Sequence, residues 1–338
     1  VRVVLVFVDG VGLGEADASR NPFVAAPPRA LVALLDGAQP VCRAAPVRAH
    51  AATLVALDAT LGVGGTPQSG TGQTALLTGQ NAAQAYGRHF GPWVPATLRP
   101  LMRSQNVLSR ARQAGLNVAF ANAYPEEVVR SAAEVEAVEL AVAERRGTGE
   151  AGSNEGPPAD AESTRDRRAA RFLAAGPPLA ALGAGVLTRQ TRELERGDAV
   201  ASEITNDGWR ERLGRRTVPV ISARDAGRNL ARIASLHDIT LFAHYSTDYA
   251  GHSQRLDRAV AAIQVVDEFL AGLLAAMPRD ALLVVASDHG NIEDITTDHT
   301  LNPVIGLAAG HRHGEIAGDW TSILDVTPGI LRALGVPD

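Results

Sequence analysis

The chain opens on VRVVLVFV, an apolar run broken only by Arg2 and stopped by Asp9-Gly10. A strand covered on both faces reads as an unbroken apolar run, not an alternating one, so this segment predicts a central parallel strand with Asp9 at its C-terminal end. NVAFANAYP (117–125), DITLFAHYSTD (238–248) and ALLVVASDHG (281–290) repeat the pattern, each passing from apolar to polar at its end. Between them the period changes. Leu256, Val260, Ile263, Val266, Leu270, Leu274 and Met277 recur every three or four positions, the stripe of an amphipathic helix lying on a sheet. After VPVIS (218–222), Ser222 and Asp225 have the spacing of a helix-capping box, with Asp in place of the usual Glu. Near the end of the sequence, Thr327-Pro328 starts a short helix that Gly335 closes.

Strands alternating with helices predict an α/β fold, a mostly parallel sheet sandwiched by helices. Ligands of such sheets bind beyond the carboxyl ends of the strands. Asp9, Asp248, Asp288 and His289 all stand at such ends, so the fold assignment alone gathers four scattered polar residues at one edge. The rhythm is lost between about 125 and 216. Residues 144–168 are rich in Gly, Pro, Ser and charge, the composition of a flexible loop, and Arg-rich stretches follow at TRDRRAAR and WRERLGRR. The organisation expected is a core of residues 1–124 and 217–338 with an inserted cap or substrate domain at 125–216.

Composition narrows the chemistry. The 338 residues are 46% hydrophobic with a net charge of −5, which argues against a protein that wraps nucleic acid. There is no lysine, so none can serve in a mechanism. The single cysteine, Cys42, excludes a disulfide within the chain and a thiolate metal cluster. The apolar runs look too short to span a bilayer and no signal-peptide pattern opens the sequence, so a cytoplasmic protein without a membrane partner is expected.

The remaining candidates form one constellation. In STDYAGH, Asp248 and His252 are one helical turn apart and so share a face. With Asp9, Asp288, His289 and His299 they supply three carboxylates and three imidazoles, enough for two divalent ions with three protein ligands each, Mn²⁺ and Zn²⁺ both suiting such donors. His237, His244, His311 and His313 compete for the imidazole positions. In TPQSGTGQTALLTGQ (66–80), Ser69 and Thr71 precede a helical run, where a hydroxyl meets the positive end of the dipole. Either one is a nucleophile candidate or a simple helix cap.

These segments, in this order, resemble the alkaline phosphatase superfamily, most closely its metalloenzyme branch of cofactor-independent phosphoglycerate mutases and phosphopentomutases. VFVDGVG resembles that branch's first strand, TDYAGH its Asp-x-x-Gly-His pair, SDHGNIED its Asp-His-Gly-Asn signature and DHTLNPV its last-ligand motif. QSGTGQTALLTG resembles its nucleophile segment. In the related nucleotide pyrophosphatases the nucleophile lies ten residues before a closing Gly, and counting back from Gly79 selects Ser69. The resemblance implies one ion on Asp9, Asp288 and His289, another on Asp248, His252 and His299, and Ser69 at or between them. It covers residues 1–124 and 217–338 and is weak in the cap, where the Arg set and the Lys of phosphoglycerate mutases find no match. Arg88, in GRHFGPWVP (87–95), is the candidate for a substrate phosphate or carboxylate.

The function this implies is two-metal phosphoryl transfer on a small phosphorylated metabolite through a phosphoserine, as a phosphatase or phosphomutase. The alternatives are a phosphodiesterase or nucleotide pyrophosphatase, and a non-catalytic metal-binding regulator. A sulfatase would need a Cys/Ser-x-Pro-x-Arg setting that Ser69 lacks. The oligomeric state is not written in these patterns.

Overall fold

A computed structural model describes residues 1–130 and 174–337. The predicted flexible loop 144–168 and the TRDRRAAR stretch lie outside them.

Seven strands form one sheet: β1 (Arg2–Val8), β2 (Val47–Arg48), β3 (Ala52–Leu57), β4 (Val118–Phe120), β5 (Ile239–His244), β6 (Ala281–Ala286) and β7 (Val304–Gly310). Their spatial order is β2-β3-β7-β6-β1-β5-β4. The four strands expected from the sequence, β6, β1, β5 and β4, are parallel neighbours. The sheet as a whole is mixed, because β7 runs antiparallel to both β6 and β3, and β2 antiparallel to β3. The physical reason lies between β6 and β7: among residues 287–303 there is no crossover helix to carry the chain back to a parallel start, so the next strand returns antiparallel.

β1 explains the unbroken apolar run. Val3, Leu5 and Phe7 belong to a core layer with helices Ser69–Thr78, Gly176–Gly183 and Val326–Ala333. Val4, Val6 and Val8 belong to the opposite layer, with helices Ala223–Ala234 and Leu256–Ala276. Both sides of the pleat are therefore dry.

The helix Leu256–Ala276 is long and apolar enough, by length and composition, to cross a membrane. Here its Ile263, Phe269, Leu270 and Leu273 are buried in the second layer. Its buried Asp267 accepts hydrogen bonds from the amides of Ala30 and Leu31 at 2.9 Å each, capping the helix Arg29–Leu34. Ser222 caps Ala223–Ala234 by accepting from the Asp225 amide at 3.1 Å. Val326–Ala333 carries Pro328 in its first turn and is followed by Gly335 at φ 73°.

Within the expected cap, residues 176–187 place Leu179, Ala180, Ala181, Ala184 and Leu187 in the main core layer. Leu194, Ala199, Ala201, Trp209 and Val218 form a small apolar cluster of their own with Ala123.

Candidate metal centre

Three adjacent parallel strands deliver the acidic groups. Asp9 follows β1, Asp288 and His289 follow β6, and Asp248 lies on the helix Ser246–His252 just after β5. The register that aligns Val8 with His244 and Phe7 with Ala286 sets these ends side by side. His299 arrives from the turn that precedes β7.

The ligand atoms fall into two clusters that touch. In the first, His289 Nε2 lies 3.3 Å from Asp9 Oδ1 and 3.7 Å from Asp288 Oδ2, all three side chains being buried. In the second, His252 Nε2 lies 3.2 Å from Asp248 Oδ2 and 3.3 Å from His299 Nε2, and His299 Nε2 lies 3.7 Å from Asp248 Oδ1. The rings of His289 and His299 stack with centroids 3.8 Å apart, and donor atoms of Asp248, His289 and His299 also lie within 4.8 Å of one another. Ser69 Oγ stands 3.0 Å from His289 Nε2.

Each imidazole is held from its other nitrogen. His299 Nδ1 meets the Pro67 carbonyl at 3.0 Å, His252 Nδ1 the Asp298 carboxylate at 2.8 Å, and His289 Nδ1 the Gly290 carbonyl at 3.3 Å. A ring whose Nδ1–H is donated elsewhere turns an unprotonated Nε2 toward the site, the arrangement of metal-ligating histidines. Asn291 Nδ2 donates to Asp248 Oδ1 at 2.7 Å, and Gln73 Nε2 donates to Asp9 Oδ2 at 3.2 Å. Asp298, Asn291 and Gln73 were not singled out from the sequence. The signals available were the Asp before His299, the Asn closing Asp-His-Gly-Asn, and the position one turn after Ser69 on the same helix.

The electrostatics call for cations. Asp9 Oδ1 and Asp288 Oδ2 are buried without a hydrogen-bond partner. Burial, followed by the charge of Asp288, raises the Asp9 pKa well above the ordinary carboxylate value, and burial raises that of Asp288. Burial alone would lower the pKa of His289, but Asp288, Asp9 and Asp248 outweigh it and push it up to about 10. Burial also opposes ionisation of Asp248, yet hydrogen bonds from His252 and Asn291 and the charge of His289 hold its pKa below the usual range. The hydrogen bond to Asp248 raises His252, while burial and then the charge of His289 lower His299. In this arrangement a proton on His289 neutralises buried carboxylates, a place that a divalent cation fits. Two candidate metal triads, Asp9–Asp288–His289 and Asp248–His289–His299, are thus present, and donor atoms of His252, Asp298 and His299 form a third group.

Ser69 is the first residue of the helix Ser69–Thr78. Thr71, its rival, is committed elsewhere: its hydroxyl accepts from the Phe90 amide at 3.1 Å, and its amide donates to the Phe90 carbonyl at 3.0 Å. The loop is pressed so closely on the helix that a Cβ on Gly70 would stand 2.0 Å from the Trp93 carbonyl oxygen. Arg88 is exposed, with its guanidinium 5.9 Å from the Tyr86 ring centre and 6.0 Å from that of Phe90. The competing histidines, His237, His244, His311 and His313, belong to none of the three donor groups. His244 is buried and bonds the Ser202 carbonyl, His237 bonds the Ile233 carbonyl, and His313 bonds Thr53.

A mixed α/β sheet thus carries Asp/His clusters and a serine at one edge. Residues 217–338 match the family model of the Metalloenzyme superfamily. The chain is 32% identical over 127 residues to the 2,3-bisphosphoglycerate-independent phosphoglycerate mutase of Desulforudis audaxviator, a match covering 35% of this chain and 25% of that protein. It is 32% identical over 118 residues to the enzyme of the same name from Thiobacillus denitrificans, covering 32% and 23%. The chain thus spans about a quarter of the length of these relatives. Among solved structures, the fold is similar to the PH0037 protein from Pyrococcus horikoshii, with a TM-score of 0.53 and 11% identity over 100% of this chain and 97% of that one. It is also similar to the alkaline phosphatase of the Antarctic bacterium TAB5, with a TM-score of 0.50 and 11% identity over 100% and 98%.

Proposed function

We propose that the protein is a two-metal phosphoryl-transfer enzyme that acts on a small phosphorylated metabolite through a phosphoserine at Ser69. The observation that carries this reading is the 3.0 Å approach of Ser69 Oγ to His289 Nε2, at the first turn of a helix and beside both clusters. Asp9, Asp288, His289 and Ser69 would hold one ion, and Asp248, His252 and His299 the other, with Mn²⁺ or Zn²⁺ suited to these donors. When bound, such ions acidify the hydroxyl and neutralise charge on the phosphate oxygens. The protein's own part is to orient. Gln73 steadies Asp9, Asn291 steadies Asp248, and Asp298 and Pro67 fix the tautomers of His252 and His299. The helix presents Ser69 with its positive dipole end toward an incoming phosphate. Attack forms the Oγ–P bond as the ester P–O bond breaks; the hydroxyl proton of Ser69 passes to solvent and the leaving oxygen takes one proton from solvent. Water or a retained substrate hydroxyl then accepts the phosphoryl group, giving a phosphatase or a mutase.

Residues 125–216 serve in this reading as the inserted substrate-holding part on the core of 1–124 and 217–338. Several of its arginines are paired locally: Arg212 with Glu203, Arg215 with Glu127, and Arg210 with the Arg216 and Val218 carbonyls. Arg88 remains the proposed contact for a substrate anion. Mn²⁺- or Zn²⁺-reconstituted protein should hydrolyse an aryl phosphate faster than an aryl diester and carry a phosphate on Ser69 by intact mass. A preference for the diester would assign it as a diesterase. Metal binding with neither turnover of either ester nor a phosphate on Ser69 would leave only a regulator.

A further inference from the structure

Glu293 lies at the junction of the loops that bear the candidate ligands, yet it touches none of their donor atoms. It is 1% exposed. One carboxylate oxygen accepts from the Gly12 amide at 2.9 Å and from the Asn291 amide at 2.8 Å. The other accepts from Asn302 Nδ2 at 3.1 Å and from the Thr300 hydroxyl. Gly12 follows Asp9 by three residues, Asn291 follows His289 by two, and Thr300 is next to His299. Asn291 extends the connection to the fourth segment, donating to both the side chain and the carbonyl of Asp248. The approach is tight: a Cβ on Gly12 would come within 2.3 Å of the Glu293 carboxyl carbon, and one on Gly290 within 2.5 Å of Oε1.

We propose that Glu293 is the positioning residue that sets the separation of the two cation clusters, a proposal that rests on the reading of those clusters as metal sites. Two backbone amides and an amide NH₂ can only donate, so the centre of this junction must accept on both oxygens. Glu does so while joining the loops after β1 and β6 to the turn before β7. Glu293→Gln turns an NH₂ against two of the donors at nearly unchanged volume.

The test is Mn²⁺ titration of the metal-free full chain by calorimetry, with electron paramagnetic resonance of the saturated protein. The wild type should bind two ions. Glu293→Gln should weaken both by about 10- to 100-fold, the usual effect of losing an outer partner, and should alter the Mn²⁺–Mn²⁺ coupling at saturation, which reads ion spacing and not fold stability. Asn302→Ala, which removes one donor on the His299 side, should weaken chiefly the ion of Asp248, His252 and His299. Unchanged affinities and coupling in Glu293→Gln overturn the proposal. If that variant does not fold, unchanged affinity in Asn302→Ala overturns it. A wild type that binds no Mn²⁺ or Zn²⁺ sinks the metal reading itself, whereas two ions bound equally well by wild type and variants sink only the role of Glu293.

Discussion

The imidazoles of His289 and His299 stack with their ring centres 3.8 Å apart, although one belongs to the Asp9 cluster and the other to the Asp248 cluster. His289 is therefore the seam between the clusters. Its replacement by Ala should reduce Mn²⁺ binding from two ions to fewer than one per chain. His252→Ala, at the outer end, should cost only one. Elemental analysis after dialysis distinguishes the two, and equal losses would contradict the shared position of His289.

Ser69→Ala removes the hydroxyl and leaves the six Asp and His side chains in place. Metal content should persist, phosphoenzyme should be undetectable by intact mass, and turnover of an aryl phosphate should fall at least about a thousandfold, as for removal of other nucleophiles. Wild-type turnover in this variant would rule out Ser69 as the nucleophile.

Asp298 acts on the site through His252 Nδ1, 2.8 Å away. Asp298→Ala frees that ring to turn. Affinity for the second ion should drop by about 10- to 100-fold. At saturating metal the kcat for an aryl phosphate should recover toward wild type. A variant whose affinity is unaffected would show that the carboxylate does not orient the ring.

His244 should contribute to the loss of stability in acid. It is fully buried, donates from Nδ1 to the Ser202 carbonyl at 2.8 Å, and leaves Nε2 without a partner. Burial pushes its pKa down to about 4 from an ordinary 6.5. Between those values the unfolded chain binds the proton more readily, so stability rises with pH. The contribution is fully present above pH 6.5 and is lost as pH falls toward 4, on the order of 3 kcal/mol in all. His244→Asn, whose amide can still donate to Ser202, should flatten this slope in urea melts at pH 6.5, 5.5 and 4.5. An unaltered slope would assign the acid sensitivity to other groups.

The legible parts of the fold were those with long uniform patterns. β1, β5 and β6 announced themselves as apolar runs ending in polar residues, and Leu256–Ala276 as a long stripe. β3 and β7, although just as long, did not: Thr53 interrupts the apolar run of ATLVAL, and Ala and Gly make up four of the seven residues of VIGLAAG. The mixed character of the sheet was lost with them. The six Asp and His side chains were singled out through a resemblance in their spacing, and the structure brings them together with Ser69. Gln73, Asn291, Glu293 and Asp298 were not, since residues that bind other side chains obey no spacing rule. Arg88 was chosen from its neighbourhood in the sequence, which does not reveal the direction of an exposed side chain.

Asp9 closes the first strand, while His299 precedes the last. Segments far apart in the sequence must therefore meet across the sheet before both candidate clusters exist. A polypeptide cut before Asp298 would keep Asp9, Asp248, His252, Asp288 and His289 but lack His299, and should bind fewer Mn²⁺ ions than the full chain, because a half-built site holds its ion weakly.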